Sequence, residues 1–179
     1  MIRNKNSSKV LWLTQTAVMS AVAIVLSAVE YALPDLPIAV PGAKLGLSNI
    51  ATMFTADTLG LLSAVCVSVL KSLFVLITRG FTAFLMSLCG GLLSTIIMYI
   101  MLNIHKHPFG YIGVGVAGAV THNVTQLMVA SLIMGVAVFG YAVYLIPAAI
   151  ITGGITGLAL GIMLPVVKKI NIGKLQGGA

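Results

Sequence analysis

Apolar runs long enough to cross a bilayer alternate along the chain with short polar breaks, and the breaks carry nearly all of the charge. A hydrocarbon core of ~30 Å needs about 20 apolar residues per crossing helix. Val10–Val29 meets that length, and Glu30–Gly46 interrupts it with Pro34, Pro37 and Pro41. Leu47–Ala56 is a short apolar segment; Thr58–Thr78, Phe81–Ile104, Ile112–Phe139 and Tyr141–Pro165 follow as four further long runs. The pattern predicts a single all-α domain over residues 1–179, a six-helix transmembrane bundle with a short second helix. That second helix is expected as a short tilted or re-entrant element packed against protein, since lipid offers no partner to unpaired backbone. Five spans are the alternative count.

Composition agrees with the pattern. Hydrophobic residues make up 59% of the chain and charged residues 7%, against about 25% charged in soluble domains. The formal charge of +7 does not mark a nucleic-acid binder, because the basic residues sit at the ends of apolar runs. Arg3, Lys5 and Lys9 precede the first run, Lys106 separates the fourth from the fifth, and Lys168, Lys169 and Lys174 follow the sixth. With six spans these fall on one side. The positive-inside rule makes that side cytoplasmic and gives a multi-pass plasma-membrane protein with both termini inside. Glu30, Asp35, Lys44 and Arg79 fall on the outer side. The first run lacks a convincing small-residue cleavage site and reads as a retained helix.

Within this apolar chain Lys71 stands out, because it lies inside a crossing segment. A charge there costs ~2.5–3.5 kcal/mol on insertion scales and marks function by default. Counting from Thr58 at 1.5 Å per residue places it roughly 20 Å along, in the outer half. The fifth run carries His122, Asn123 and Gln126, of which His122 and Gln126 share a helix face. With Lys44 and Arg79 at the outer surface, three independent segments place polar groups at similar depth, facing outward. The inner half offers no comparable set.

These residues predict an outward-facing pocket for a small anionic molecule. Lys71 and Arg79 would hold a carboxylate or phosphate, and His122, Asn123 and Gln126 would hydrogen-bond a polar head or ring. Tyr31 and Phe81 would stack on a ring from the rim. The same groups would also serve as interhelical glue, at ~0.6 kcal/mol per bond, with Lys71 snorkelling along its stem. Small residues recur every four positions at Ala17 and Ala21, and at Gly153, Gly157 and Gly161. That spacing lets helices approach closely, either inside the bundle or against a partner.

Several chemistries are disfavoured. Cys66 and Cys89 lie in apolar runs and form neither a disulfide framework nor a metal site. His105 and His107 flank Lys106 in a basic loop without a nearby carboxylate or Cys. Asp57 reads as an N-terminal cap of the third helix. The only acidic residues, Glu30, Asp35 and Asp57, are scattered, which argues against a self-sufficient magnesium-dependent enzyme. No P-loop, dinucleotide motif or nucleophile–base pair is present. No cofactor and no metal are expected.

The order Lys44, Ser48–Asn49, Gly60 and Lys71 resembles the region after the first loop in riboflavin-type S components of energy-coupling factor (ECF) transporters. Pro41-Gly-Ala-Lys-Leu-Gly-Leu-Ser-Asn-Ile50 and Gly118-Ala-Val-Thr-His-Asn-Val-Thr-Gln126 are similar to the Gx transporter family, whose members are often labelled heptaprenyl diphosphate synthase component I. The resemblance covers roughly residues 10–165. It implies an ECF S-component-like fold and a substrate-binding subunit for a vitamin-, quinone-precursor- or isoprenoid-related anion captured from outside. It also implies an Ala-x-x-x-Ala docking face at Ala17 and Ala21 for a coupling membrane subunit, two ATPases as further partners, and a subunit that topples in the membrane. The alternative is a non-transport membrane subunit of a quinone, prenyl or flavin-based extracellular electron transfer system, in contact with other membrane subunits and lipid.

Overall fold

The computed structural model describes residues 5–32, 46–104 and 109–176, with side chains for 9–32, 46–104 and 109–165. The described residues are helical throughout, with no strands. The helices are α1 (Lys5–Ala32), α2 (Leu47–Thr58), α3 (Leu61–Arg79), α4 (Phe81–Asn103), α5 (Tyr111–Met134) and α6 (Ala142–Gln176). A 3-10 turn, Val136–Tyr141, precedes α6. Five of the helices are long and apolar enough to cross a membrane, which makes this a multi-pass membrane protein. Their outward faces carry Ile77, Leu132 and Ile151, side chains that suit contact with lipid tails.

Glycines in the left-handed region set two boundaries that hydropathy alone blurs. Gly60, at φ 88°, divides the apolar stretch so that Thr58 closes α2 and α3 starts at Leu61. The amides of Leu59 and Gly60 both return to the Thr55 carbonyl, at 2.8 and 3.1 Å, and so terminate α2. Asp57 therefore belongs to the last turn of α2, and the residue capping α3 is Gly60, with no side-chain cap. Gly135, at φ 90°, ends α5 at Met134, short of the Phe139 end that the apolar pattern gives. Such φ values cost L-residues sterically and glycine almost nothing.

At 12 residues, α2 is about 18 Å long, too short for the bilayer core. It lies inside the bundle, packed on α1, α3, α4 and α6. Its buried residues include Ser48, Asn49, Thr52 and Thr55, with Ala51, Met53 and Ala56. Thr52 and Thr55 donate back to the carbonyls of Ser48 and Ala51, which satisfies hydroxyls that lipid or core would leave bare.

The largest apolar cluster fills the Asp57 end of the bundle: Met53 and Ala56 of α2, Ala64 of α3, Met98 and Leu102 of α4, Val114 of α5, and Leu160 and Leu164 of α6. Helices α5 and α6 meet backbone to backbone. A Cβ added at Gly153 would lie 2.6 Å from both the Gly115 carbonyl oxygen and the Val116 Cα, and one at Gly157 would lie 2.5 Å from the Ile112 Cα. Gly153 and Gly157 are thus an internal packing face. Ala17 and Ala21, by contrast, are exposed on α1. The core being consolidated at one end, the other end is left to a cavity.

Candidate functional site

A cavity of about 490 Å³ opens at the Arg79 end and is bordered by all six helices and the 3-10 turn. Its volume lies within the ~300–1,000 Å³ typical of small-molecule sites. Asn49, Lys71, Arg79, His122, Asn123 and Gln126 all line it, so residues singled out on three separate helices, α2, α3 and α5, share one space. Lys44, His105 and His107 lie outside the described residues.

Lys71 forms part of the wall and is 4% exposed. Its Nζ donates to Asn49 Oδ1 at 3.1 Å, joining α3 to the first turn of α2. Below it, Ser72 and Ser87 share a hydrogen bond at 3.2 Å between α3 and α4. The partner of Lys71 follows from the short α2: a helix that starts inside the bundle brings Asn49 level with the middle of α3, where the lysine meets it. An ammonium has three donors, and Asn49 takes one of them.

Arg79 is placed differently. It is exposed at the end of α3, with its guanidinium carbon 4.7 Å from the Tyr31 ring centroid. This cation–π contact ties the end of α3 to the end of α1. Tyr31 thus faces a cation, and Phe81 packs on Phe84 with centroids 6.0 Å apart, outside the cavity lining. The expected stacking role of these two rings is not what the packing favours.

Helix α5 brings the amides and the imidazole. Gly90 of α4 lets α5 come so close that an added Cβ would stand 2.9 Å from the His122 carbonyl and 3.1 Å from His122 Nδ1. His122 Nδ1 is buried without a hydrogen-bond partner. Orphaned buried polar atoms are uncommon and call for an explanation, an absent ligand or water among them. Asn123 Nδ2 donates to the Leu145 carbonyl at 3.2 Å. This bond ties α5 to α6 two residues before Pro147. Asn123 therefore both lines the cavity and acts as interhelical glue.

Glu30 changes the electrostatics. The charge pattern places it on the outer surface, yet it is 7% exposed and lines the cavity. Its Oε1 accepts the backbone N–H of Gly46, at the start of α2, and its charge reaches both Lys71 and Arg79. A carboxylate at a helix N-terminus satisfies free amides and opposes the helix dipole. The sequence carries no signal for this burial, because a carboxylate at the end of α1 reads as surface until Gly46 folds back on it.

A family model described as heptaprenyl diphosphate synthase component I matches residues 19–166. No curated protein and no solved structure matches the chain.

Proposed function

The chain belongs to the heptaprenyl diphosphate synthase component I family, and from that premise we propose that it is a membrane-embedded substrate-binding subunit of an ECF-type transporter. Its cargo is a small anionic metabolite, captured at the Arg79 end of the bundle. The observation that carries this reading is Lys71: a lysine 4% exposed within a crossing helix, in the wall of a cavity of about 490 Å³ and hydrogen-bonded to Asn49. Glu30 is a counter-charge that it shares with Arg79, and a buried cation beside a cavity of this size suits an anionic ligand.

Binding rather than synthesis fits the acidic residues. Diphosphate chemistry of prenyl synthases relies on clustered carboxylates holding magnesium. Here Glu30 and Asp57 sit at opposite ends of α2, and among the described residues no three His, Cys, Asp or Glu side chains gather. The chain has no phosphate-binding loop for ATP, so transport needs a coupling membrane subunit and two ATPases. Exposed Ala17 and Ala21 on α1 are the surface we assign to that coupling subunit. A cytoplasmic location of both termini agrees with the distribution of lysine and arginine.

The family description favours one other reading, a membrane subunit that accompanies a prenyl-chain or quinone enzyme. Native mass spectrometry of protein purified gently from its own host separates the two. A small anion on the wild type and missing from Lys71→Ala is the expected result. A wild type that carries membrane or enzyme partners and no small ligand moves the assignment to the accompanying subunit.

A further inference from the structure

We infer that the cavity takes an amphiphile, with an anionic head on its polar floor and an apolar body of ring size in a belt one helical turn above. The inference rests on the substrate-binding reading above and names its ligand class. Asn49, Lys71, Ser87 and His122 make the floor, and all four line the cavity. There Lys71 donates to Asn49 Oδ1 at 3.1 Å, Ser87 shares a hydrogen bond with Ser72, and His122 holds a buried Nδ1 without a hydrogen-bond partner. One turn toward the mouth the lining changes on three helices. Lys71 gives way to Val75 on α3, Ser87 to Ala83 on α4 and Gln126 to Ala130 on α5. Four residues span about 6 Å of helix. The Ser72–Ser87 bond levels α3 with α4, and a Cβ at Gly90 would lie 3.2 Å from Gln126 Cγ, which levels α4 with α5. The three changes therefore fall in one layer.

Leu127 and Leu145, packed with Val138 of the 3-10 turn as one apolar cluster, continue the belt onto α6. The α1 side of the cavity carries Glu30 on the Gly46 amide instead, so the body of the ligand lies against α3 to α6. A hydroxylated body placed on that belt loses water and finds no donor or acceptor in exchange. An apolar ring gains by leaving water there. A carboxylate or phosphate at the other end meets the Lys71 ammonium, which has three donors and gives one to Asn49. Sugar phosphates and polyhydroxy acids carry such a head without such a body, and the belt disfavours them.

The test uses 2-naphthoate, gluconate and 2-naphthalenemethanol. The first two each carry one carboxylate and have equal numbers of non-hydrogen atoms; the third has the rings without the charge. Binding to detergent-solubilised wild type, Lys71→Met and the double variant Val75→Thr/Val138→Thr is measured by equilibrium dialysis, with protein-free micelles as the blank. Threonine keeps the shape of valine and adds a hydroxyl to the belt at two half-buried positions, and thermal melts verify folding. Wild type is expected to favour 2-naphthoate over each of the other probes by at least ~tenfold. Lys71→Met should lose the preference for 2-naphthoate over the alcohol. The double variant should keep that preference and bind 2-naphthoate at least ~threefold more weakly. Gluconate bound as tightly as 2-naphthoate, or 2-naphthoate binding unmoved by the double variant, overturns the inference and leaves the anion-binding reading standing. Carboxylate binding that is indifferent to Lys71→Met, or no binding of either carboxylate to wild type, overturns the anion-binding reading itself.

Discussion

Lys71 and Asn49 meet at 3.1 Å although they lie 22 residues apart, one in the middle of a crossing helix and the other in the first turn of a helix too short to cross. The contact exists because α2 begins inside the bundle. A second helix of full length would carry its first turn to the membrane surface and leave Lys71 without this partner. The short helix and the buried lysine are therefore one device. It fixes a cation at the depth where α5 presents His122, Asn123 and Gln126.

Replacing Lys71 with Met separates a binding role from a packing role. The side chains are similar in volume, and removing the charge relieves its burial while Glu30 keeps the Gly46 amide and Arg79 nearby. Unfolding stability is expected to change by less than ~1 kcal/mol, because relieved desolvation offsets the lost attraction to Glu30. Ligand retention is expected to disappear. Asn49→Ala should behave in the opposite sense and cost ~1.5–3 kcal/mol, since it strips a charged donor of its acceptor. Denaturant melts in detergent, read beside native mass spectra, measure both quantities.

The docking surface proposed for the coupling subunit gives a prediction on α1. Ala17 and Ala21 are exposed, whereas Thr16 and Ser20, on the neighbouring stripe of the same turns, are 5% and 3% exposed. Thr16 donates to Ser63 at 3.1 Å and holds α1 to α3. Leucine at positions 17 and 21 adds bulk at sites that the described residues leave exposed. Stability and small-ligand retention should stay at wild-type level, while co-purification of a coupling membrane subunit should fall at least ~tenfold. Unchanged co-purification assigns the partner surface to another helix.

The order of elements and the location of the cavity were legible in the sequence for one physical reason. In a bilayer the apolar length of each run fixes where it begins and ends, so depth can be counted along the chain. That count brings Lys71, His122, Asn123 and Gln126 to one level, and all four line the cavity. Counting fails where the chain turns without losing hydropathy. The break at Gly60 and the end of α5 at Gly135 depend on backbone conformation, and both lie among apolar neighbours. It fails for Glu30 as well. The end of α1 places that residue at the surface, and only the approach of Gly46 from a distant part of the chain encloses it. The fate of the small-residue stripes was open for the same reason: spacing describes a face, and only packing shows that Gly153 and Gly157 are used within the bundle.

That packing yields a matched pair of substitutions on α6. A methyl group at Gly153 would press on the Gly115 carbonyl and the Val116 Cα, both backbone atoms that have no rotamer to yield. A methyl group at Gly154 would meet nothing within 4 Å. Gly153→Ala is expected to lower stability by ~1–3 kcal/mol, the usual cost of overpacking. Gly154→Ala should be neutral or slightly stabilising, because alanine is the better helix former by ~1 kcal/mol. Equal melts for the two variants contradict the close approach of α5 and α6.

Gly90 connects packing to the site. An alanine there would stand 2.9 Å from the His122 carbonyl and 3.1 Å from the imidazole Nδ1, closer than ordinary contacts allow, so α5 or the ring has to move. A displacement of a few tenths of an ångström is small for the bundle but large for a set of hydrogen-bonding groups, which work over a narrow range of distance. Gly90→Ala is therefore expected to weaken ligand capture about tenfold or more while the protein remains folded. Adding His122→Ala separates the ring from the helix. If the imidazole transmits the effect, Gly90→Ala should cause little further loss in a protein that already lacks the ring, and the double-mutant cycle should show coupling above ~0.5 kcal/mol. Additive losses would mean that the α5 backbone, with Asn123 and Gln126, carries the displacement instead.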